Sequence, residues 1–458
     1  MSIEPCEIVI DEASQTDNED NTDSFHFPPR SRRVIDNASS AIQQSPVFIN
    51  QTTTRKKSHK NYLNNVHDFH SAMGPIITIG QYFGVFAIDG IKNPTPETMT
   101  FKIKSFRTIY SCGVSLNILI LLYCIVFHII RESINKNKEV SSSLIPFGIF
   151  IGLSFLINVI CICRSQMWID LQMKWKKVEE TLDMFYLHTP QLRIKFQIFF
   201  SLAEIFKLGA HVMAVVFSAK NANGVIEQIQ LRGKFLVDAF YGSNDISFDS
   251  WLGILGIYFL IILVFASFIR MFTDLFIIFL AIGLTERYKA MNEHVSDLIK
   301  SNCQPINWSR LKIHYEMLSD LVRETDRVIS PLIFLSIGSN IYFICIYLLD
   351  GLIPQHDGIL NAIYFFGGFV LLVIKTIAVI LFAARINDES KKPILFLSKC
   401  PVQGPSFEPQ WLQLQLSIDE VALTAMNCFS ITRKFLITVT TTVISYEIVL
   451  LQFQKSMN

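Results

Sequence analysis

The chain has 458 residues, of which half are hydrophobic and 38 are Phe, and only 17% are charged, against roughly 25% in an ordinary soluble domain. The formal net charge of +1 indicates no nucleic-acid partner, and nine scattered cysteines without a CxxC pair indicate neither a metal site nor a disulfide framework. This composition excludes an ordinary soluble protein and favours a chain built from membrane-spanning helices.

The first 65 residues are polar and rich in Ser, Asn, Asp and Thr, so we predict a disordered cytosolic tail over 1–65. The beginning of this tail lacks the charged, apolar and small-residue pattern of a cleaved signal peptide, so we expect the first span to direct insertion. The stretch 72–91 is apolar but contains Gly74, Pro75, Gln81 and Asp89. We therefore expect an interfacial or re-entrant helix with its linker over 66–106.

Seven later stretches are long enough to cross a hydrocarbon core about 30 Å thick, which needs about 20 apolar residues in a helix. They cover approximately 108–130, 144–163, 196–218, 251–283, 328–349, 361–384 and 434–453. The sequence thus predicts an all-α membrane protein, with a seven-helix domain over 107–453 and a short extracellular end at 454–458.

Lys and Arg are concentrated in alternate loops, which by the positive-inside rule stay cytosolic. The basic segments come before the first span and after the second, fourth and sixth, whereas no Lys or Arg lies between the fifth and sixth spans. The N-terminus is therefore predicted to be cytosolic and the C-terminus extracellular. This inverted topology is opposite to that of a G-protein-coupled receptor.

Two cytosolic segments, 285–327 and 405–433, are predicted to contain helices with one apolar stripe each. The stripes have helical spacing and comprise, first, Leu311, Tyr315, Leu318 and Val322 and, second, Trp411, Leu414, Ile418, Val421 and Ala422. Each stripe could pack against helices of its own chain or against a second subunit below the membrane.

Several sequence blocks carry a resemblance to a known family. The last span contains Ser445-Tyr446, five residues EIVLL and then Gln452-Phe453, which resembles the C-terminal signature of the insect gustatory receptors. Other blocks are similar to the sugar-receptor branch of that family: FHSAMGPIITIGQYFG, TDLFIIFLAIGLTER, SIGSNIYFICIYLL, ARINDES and DEVALTAMNCFSITRKF. Together they cover most of the chain beyond residue 69.

The resemblance implies a sugar-gated, non-selective cation channel in the plasma membrane of a gustatory receptor neuron. Its partners would be sugars, membrane lipid and further subunits, in a homo-tetramer or a hetero-tetramer with other sugar receptors. The last span would line the pore, the cytosolic helices would hold the subunits together, and each subunit would carry a tastant pocket.

Polar groups inside spans are the candidate ligand-binding residues, because each charge there costs at least about 2.5 kcal/mol on insertion scales. They are His211, Arg270, Asp274 and Lys375, and His211 matches a histidine that sugar receptors carry. Two departures from the branch, Ala210 where Glu is frequent and Arg270 where Trp is usual, leave the identity of the sugar open. Alternatively, Asp274 forms a structural ion pair with Arg270 or Lys375.

The candidate pore and gate residues are Ser445, Val449, Gln452 and Phe453. At spacings of four and three, the first three share a stripe that could face a common axis, and Phe453 lies on a neighbouring stripe. Glu447 lies elsewhere on the helix, so we expect it to meet another helix rather than the pore.

Two other classes of membrane protein remain as alternatives. A metabotropic seven-helix chemoreceptor would require the opposite orientation, and a solute transporter is disfavoured because no internal repeat is found. No enzyme is expected, since no nucleophile, base and orienting group appear at readable spacing, and no cofactor or metal is expected.

Overall fold

The computed structural model describes residues 68–93, 95–134, 144–184, 192–221, 225–241, 249–301, 307–351, 359–398 and 408–457. Within these ranges the chain is helical, with a short 3-10 turn at Pro96–Thr98 and two isolated β-bridges. The predicted tail, 1–65, lies outside the described residues.

Eleven α-helices occupy the described ranges. They are α1 (Phe69–Tyr82), α2 (Phe106–Ile134), α3 (Leu144–Cys163), α4 (Ser165–Asp183), α5 (Leu192–Asn221), α6 (Val225–Tyr241), α7 (Asp249–Ser301), α8 (Trp308–Gly351), α9 (Ile359–Leu397), α10 (Glu408–Ile418) and α11 (Arg433–Met457). Each of the seven predicted spans coincides with one of these helices.

Five helices of the described ranges are long and apolar enough to cross a membrane. They are Phe106–Ile134, Leu144–Cys163, Trp251–Lys300, Trp308–Gly351 and Phe365–Leu397. The remaining two predicted spans correspond to α5 and α11, whose 30 and 25 residues also exceed the minimum length. Their passage through the membrane stays a prediction.

The stretch 72–91 is helical only in its first part. Helix α1 has 14 residues, about 21 Å, and ends at Tyr82, so it is too short to span a hydrocarbon core. Gly84 follows with a φ of +79°, a conformation that glycine adopts without strain. The rest of the stretch, up to Ile91, is irregular rather than helical.

The core is formed around α7, which packs against α1, α2, α3, α5, α6, α8 and α9. Aromatic rings pack against α7 from two sides: Phe83, just after α1, stacks on Phe268 at 3.7 Å, and Trp168 of α4 lies 5.0 Å from Phe276. This packing holds α1 inside the helical bundle, because Phe69 and Met73 are fully buried.

Two helices were absent from the sequence-based prediction. Helix α4 follows the second span with Trp168, Leu171, Trp175, Val178 and Leu182 all buried, and their spacing of three and four was a readable helical signal. Helix α6 crosses α7 at Gly233 and Gly256, where a Cβ would lie only 1.9 Å from a backbone oxygen of the other helix. Small residues of this kind permit close helix contact in membranes.

The helices of the segment 285–327 are continuous with the spans. Helix α7 extends from Asp249 to Ser301 and α8 from Trp308 to Gly351, so neither has a break at the predicted membrane boundary. Within 285–327, the end of α7 and the beginning of α8 are therefore continuous extensions of the two helices that contain the spans.

A buried ion-pair cluster fixes the start of α1. Arg287 of α7 lies 2.6 Å from Glu179 and also binds Asp183, both of α4. The backbone N–H of Phe69 donates to the Glu179 carboxylate at 3.3 Å, which caps the helix N-terminus. The cluster therefore joins α1, α4 and α7.

The segment before α11 is also firmly held. Thr424 donates its backbone N–H and its hydroxyl to Asp326 of α8, at 2.6 and 2.7 Å. At the first residue of α11, Arg433 Nε lies 2.6 Å from Asp388 of α9. The start of the last helix is therefore anchored to both α8 and α9.

Candidate functional site in the helical bundle

Asp274 is the centre of a buried polar cluster that joins three helices. It belongs to α7 and is 4% exposed. Its Oδ2 lies 2.7 Å from Nζ of Lys375 on α9, and its Oδ1 accepts a hydrogen bond from the hydroxyl of Ser336 on α8. The ion pair of Asp274 is thus formed with Lys375, one of the two partners that the sequence allowed.

Arg270 lies one turn earlier on the same face of α7. Its Nη2 donates to the hydroxyl of Ser339 at 3.1 Å, and its guanidinium lies 4.9 Å from the ring centre of Phe150 and 4.7 Å from that of Phe343. These distances are within the range of cation–π attraction. Arg270 is therefore held by aromatic rings and a hydroxyl rather than by the Asp274 carboxylate.

Polar atoms without partners remain beside this cluster. Nη1 of Arg270 and both Oδ1 and Nδ2 of Asn340 are buried and make no hydrogen bond within the described part of the chain. Asn340 is 1% exposed and lies one helical turn after Ser336, on the same face of α8. Ser339 comes directly before it in the chain. A buried polar group without a partner costs about 1–3 kcal/mol, so these atoms require an explanation.

The chemistry of the cluster suits a polyhydroxylated molecule. A hydroxyl both donates and accepts hydrogen bonds, and the cluster offers a guanidinium donor, an amide with both functions, a carboxylate and two hydroxyls. The rings of Phe150 and Phe343 add apolar surface for the C–H face of such a molecule.

The structure brings together three of the four residues that were predicted to bind ligand. Arg270, Asp274 and Lys375 meet in this cluster. The backbone of His211 belongs to α5, but its side chain lies outside the described residues.

Sequence reasoning missed Ser336, Ser339 and Asn340 as members of the cluster. They appear in the block SIGSN of the fifth span, where polar residues recur at spacings of three and one among apolar neighbours. Polar residues that share one face of an otherwise apolar span were the signal that could have identified them.

The last helix carries an exposed stripe. Thr438, Thr441, Ser445, Val449 and Gln452 are all exposed in the single chain, and at about 100° per residue they lie within one face of α11. The opposite face packs on α8 and α9. The predicted pore residues Ser445, Val449 and Gln452 therefore share an unpacked surface, whereas the side chain of Phe453 lies outside the described residues.

The two predicted apolar stripes differ in burial. Leu311, Tyr315, Leu318 and Val322 are all buried, at 7% exposure or less, so this stripe packs inside its own chain. On α10, Leu412 and Leu416 face the chain, whereas Trp411, Leu414 and Ile418 are 66%, 50% and 72% exposed. The second stripe thus leaves an apolar surface exposed on α10, although Val421 of the same stripe is buried.

The chain matches a known protein family over most of its length. The family model described as Trehalose receptor matches residues 49–458. Among curated relatives, the gustatory receptor 5a for trehalose of Drosophila melanogaster is 26% identical over 446 residues, covering 94% of each chain. The gustatory receptor for sugar taste 64f of the same species is 26% identical over 406 residues, covering 87% of this chain and 84% of that relative.

Among solved structures, the fold resembles that of the insect olfactory receptor OR5 from Machilis hrabei. The TM-score is 0.59 at 13% identity, with 83% of this chain and 97% of that chain covered. The structure of the same receptor in complex with eugenol gives a TM-score of 0.53 at 14% identity. The arrangement of helices is therefore shared with this olfactory receptor.

These similarities confirm the resemblance to the sugar branch of the insect gustatory receptors. Together with the apolar helices, they identify a multi-pass membrane protein of receptor type.

Proposed function

Since the chain belongs to the trehalose receptor family, we propose that it is one subunit of a sugar-gated, non-selective cation channel. Four subunits, identical or mixed with other sugar receptors, would surround a pore lined by α11. The observation that carries this proposal is the exposed stripe of α11. A helix that shows Thr438, Thr441, Ser445 and Gln452 to its surroundings suits a water-filled axis better than lipid.

The orientation proposed for the subunit follows the charge distribution of its loops. The N-terminus and the segments 285–327 and 405–433 would be cytosolic, and residues 454–458 would be extracellular. The tail 1–65 would precede the 66–106 region and the seven-helix domain 107–453. The plasma membrane of a gustatory receptor neuron would be its location.

Assembly would use the apolar surface of α10. Trp411, Leu414 and Ile418 lie on a face that the chain itself leaves open, while α10 is fixed from behind by Leu412 and Leu416. Exposed apolar surfaces of this kind are typical of subunit contacts. The rigid extensions of α7 and α8 would support these contacts below the membrane.

The sugar would bind beside the Asp274 cluster. We assign Arg270, Asp274, Lys375 and His211 to the ligand site, with Asn340 as an additional residue. Arg270 and Asn340 supply polar atoms that lack partners in the described chain, and hydroxyl groups of a sugar would satisfy them. Binding favours the open channel only if these contacts are stronger in that state.

Current recording from cells that express the full chain, alone and with other sugar gustatory receptors, tests this function. We expect sugar-evoked cation currents, and Gln452→Ala should change conductance or gating at unchanged surface expression. Silence to every sugar in all combinations would exclude the channel. Sugar responses that need a G protein, with an extracellular N-terminus, would instead support a metabotropic receptor, and uptake without current would support a transporter.

A further inference from the structure

A separate cavity lies between α8, α9 and α11, away from the Asp274 cluster. Its volume is ≈ 180 Å³, and Tyr347 and Gly351 of α8, Phe365 and Phe369 of α9 and Glu447 of α11 line it. A single water needs about 10–15 Å³ of such space. The cavity therefore has room for an organic molecule.

Aromatic rings form most of the cavity wall. Tyr347 lies 5.4 Å from Phe365 at an interplanar angle of 53° and 6.2 Å from Phe369 at 48°. Phe365 meets Phe366, which also lines the cavity, at 5.5 Å and 86°. These rings line the space at different inclinations, and aromatic rings attract cations through their negative faces.

Glu447 supplies the charge of this cavity. Its Oε2 is buried and has no hydrogen-bond partner, and none of the ion pairs formed by the described residues includes it. A carboxylate in apolar surroundings is costly unless a cation or donor compensates it. Among the described residues, therefore, no cation or donor compensates the Oε2 side of the Glu447 carboxylate.

We propose that this cavity binds the ammonium group of a small organic cation. The ammonium would lie against Glu447, and its alkyl or aryl substituents would contact the rings of Tyr347, Phe365 and Phe369. The group could belong to a free amine or to the choline headgroup of a lipid. Under the proposed topology the cavity lies near the extracellular side, where both are accessible.

A sugar suits this cavity less well than a cation. Apart from Glu447 and the hydroxyl of Tyr347, the lining side chains are hydrocarbon. Several hydroxyls of a sugar would remain without partners, each at a cost of about 1–3 kcal/mol. An organic cation needs only one anionic group and apolar walls.

The position of the cavity connects it to the last helix. At about 100° per residue, Glu447 lies opposite the exposed stripe of α11, on the face that packs against α8 and α9. A bound cation would contact three helices at once. If the channel proposal holds, a cation that prefers one gating state would change the sugar response, whereas binding itself does not depend on that proposal.

Equilibrium binding of radiolabelled benzyltrimethylammonium to the purified full chain in nanodiscs tests the site. We expect saturable binding that Glu447→Gln weakens at least tenfold. Asp350→Asn, which removes a nearby carboxylate from the end of α8, is the matched control and should change the affinity less than twofold. Neopentylbenzene, the neutral carbon analogue, should not compete.

A second variant separates loss of the site from loss of the fold. Phe366→Leu alters a ring that is 60% exposed, so it should leave the helical circular dichroism unchanged and weaken binding about threefold or more. Absence of saturable binding to the wild type, or equal affinity in Glu447→Gln, would overturn the proposal. Binding of trehalose that depends on Glu447, with no binding of the cation, would overturn it as well.

The lipid composition distinguishes the two sources of the ammonium group. In phosphatidylcholine nanodiscs, a headgroup in the cavity would lower the apparent affinity for the probe relative to galactolipid nanodiscs, which contain no ammonium. Equal affinity in both lipids identifies a free amine as the ligand. Both results support the site, provided that Glu447 is required.

Discussion

Lys375 Nζ lies 2.7 Å from Asp274 Oδ2, which joins α9 to α7 inside the helical bundle. Asp274 is almost fully buried, whereas the Lys375 side chain is 32% exposed, so the pair is only partly withdrawn from its surroundings. Such a pair fixes the positions of two helices, and it also holds a carboxylate and an ammonium next to the unpartnered atoms of Arg270 and Asn340. Substitutions at Asp274 and Lys375 can therefore separate the contribution of this pair to stability from its contribution to sugar binding.

We expect Asp274→Asn and Lys375→Met each to lower the stability of the purified chain by about 1–3 kcal/mol, because each leaves one charge without its partner. The double variant should recover most of this loss, since no uncompensated charge remains. It should not recover sugar sensitivity if the charged groups contact the ligand. Thermal unfolding and dose–response curves of all four proteins measure the two effects, and a double variant with wild-type sensitivity would assign the pair to structure alone.

Asn340 gives a sharper test of the sugar site, because its amide makes no hydrogen bond to the described chain. Asn340→Leu keeps the approximate shape and removes the unpartnered groups, so stability should stay equal or rise by about 1 kcal/mol. The sugar concentration for half-maximal current should rise at least tenfold. Thr376→Val, whose hydroxyl donates to Leu372 O within its own helix, is the control and should leave the dose–response unchanged.

The positions of the long helices were predictable from the sequence, because each of them contains a long apolar stretch. For Asp274 the sequence left two possible ion-pair partners, Arg270 on the same helical face and Lys375. It could not show that the rings of Phe150 and Phe343 hold the guanidinium of Arg270. The cavity around Glu447 was beyond prediction, since it depends on how α8, α9 and α11 meet. The separation of the stripe on α11 from Glu447 did follow from spacing alone.

The stripe on α11 predicts a pattern of water accessibility. Ser445→Cys and Val449→Cys should react with a charged thiol reagent applied from outside, and the reaction should block sugar-evoked current because both positions would face the pore. Val443→Cys, which lies toward the packed face and is half-buried, is the matched control and should react at least tenfold more slowly. Equal reaction rates at all three positions would exclude a pore lined by this face.

The cluster that caps α1 predicts a large loss of stability. Glu179→Ala leaves Arg287 buried with one partner fewer and removes the acceptor of the Phe69 N–H, so we expect a loss of about 3–5 kcal/mol. Lys176→Ala, which breaks the more exposed pair with Glu97 at 3.0 Å, should cost less than about 1 kcal/mol. Thermal unfolding in the same detergent compares them, and similar losses in the two variants would contradict a structural role for the cluster.

His314, on the part of α8 before its membrane span, predicts an effect of acidic pH. Burial, and after it the nearby charges of Arg310 and His294, together lower its pKa from 6.5 to about 4. The folded chain therefore favours the neutral imidazole, so the stability that His314 contributes is complete above about pH 6.5 and is lost as the pH falls toward 4.

We expect the free energy of unfolding to decrease by about 1–2 kcal/mol between pH 6.5 and 4 on account of His314, a value reduced for partial solvent access. His314→Gln cannot take up the proton, so its melting temperature should fall less steeply over the same range. Melting curves of both proteins at half-unit pH steps measure the difference. Parallel curves would contradict the prediction, because they would show that folding does not lower the pKa of His314.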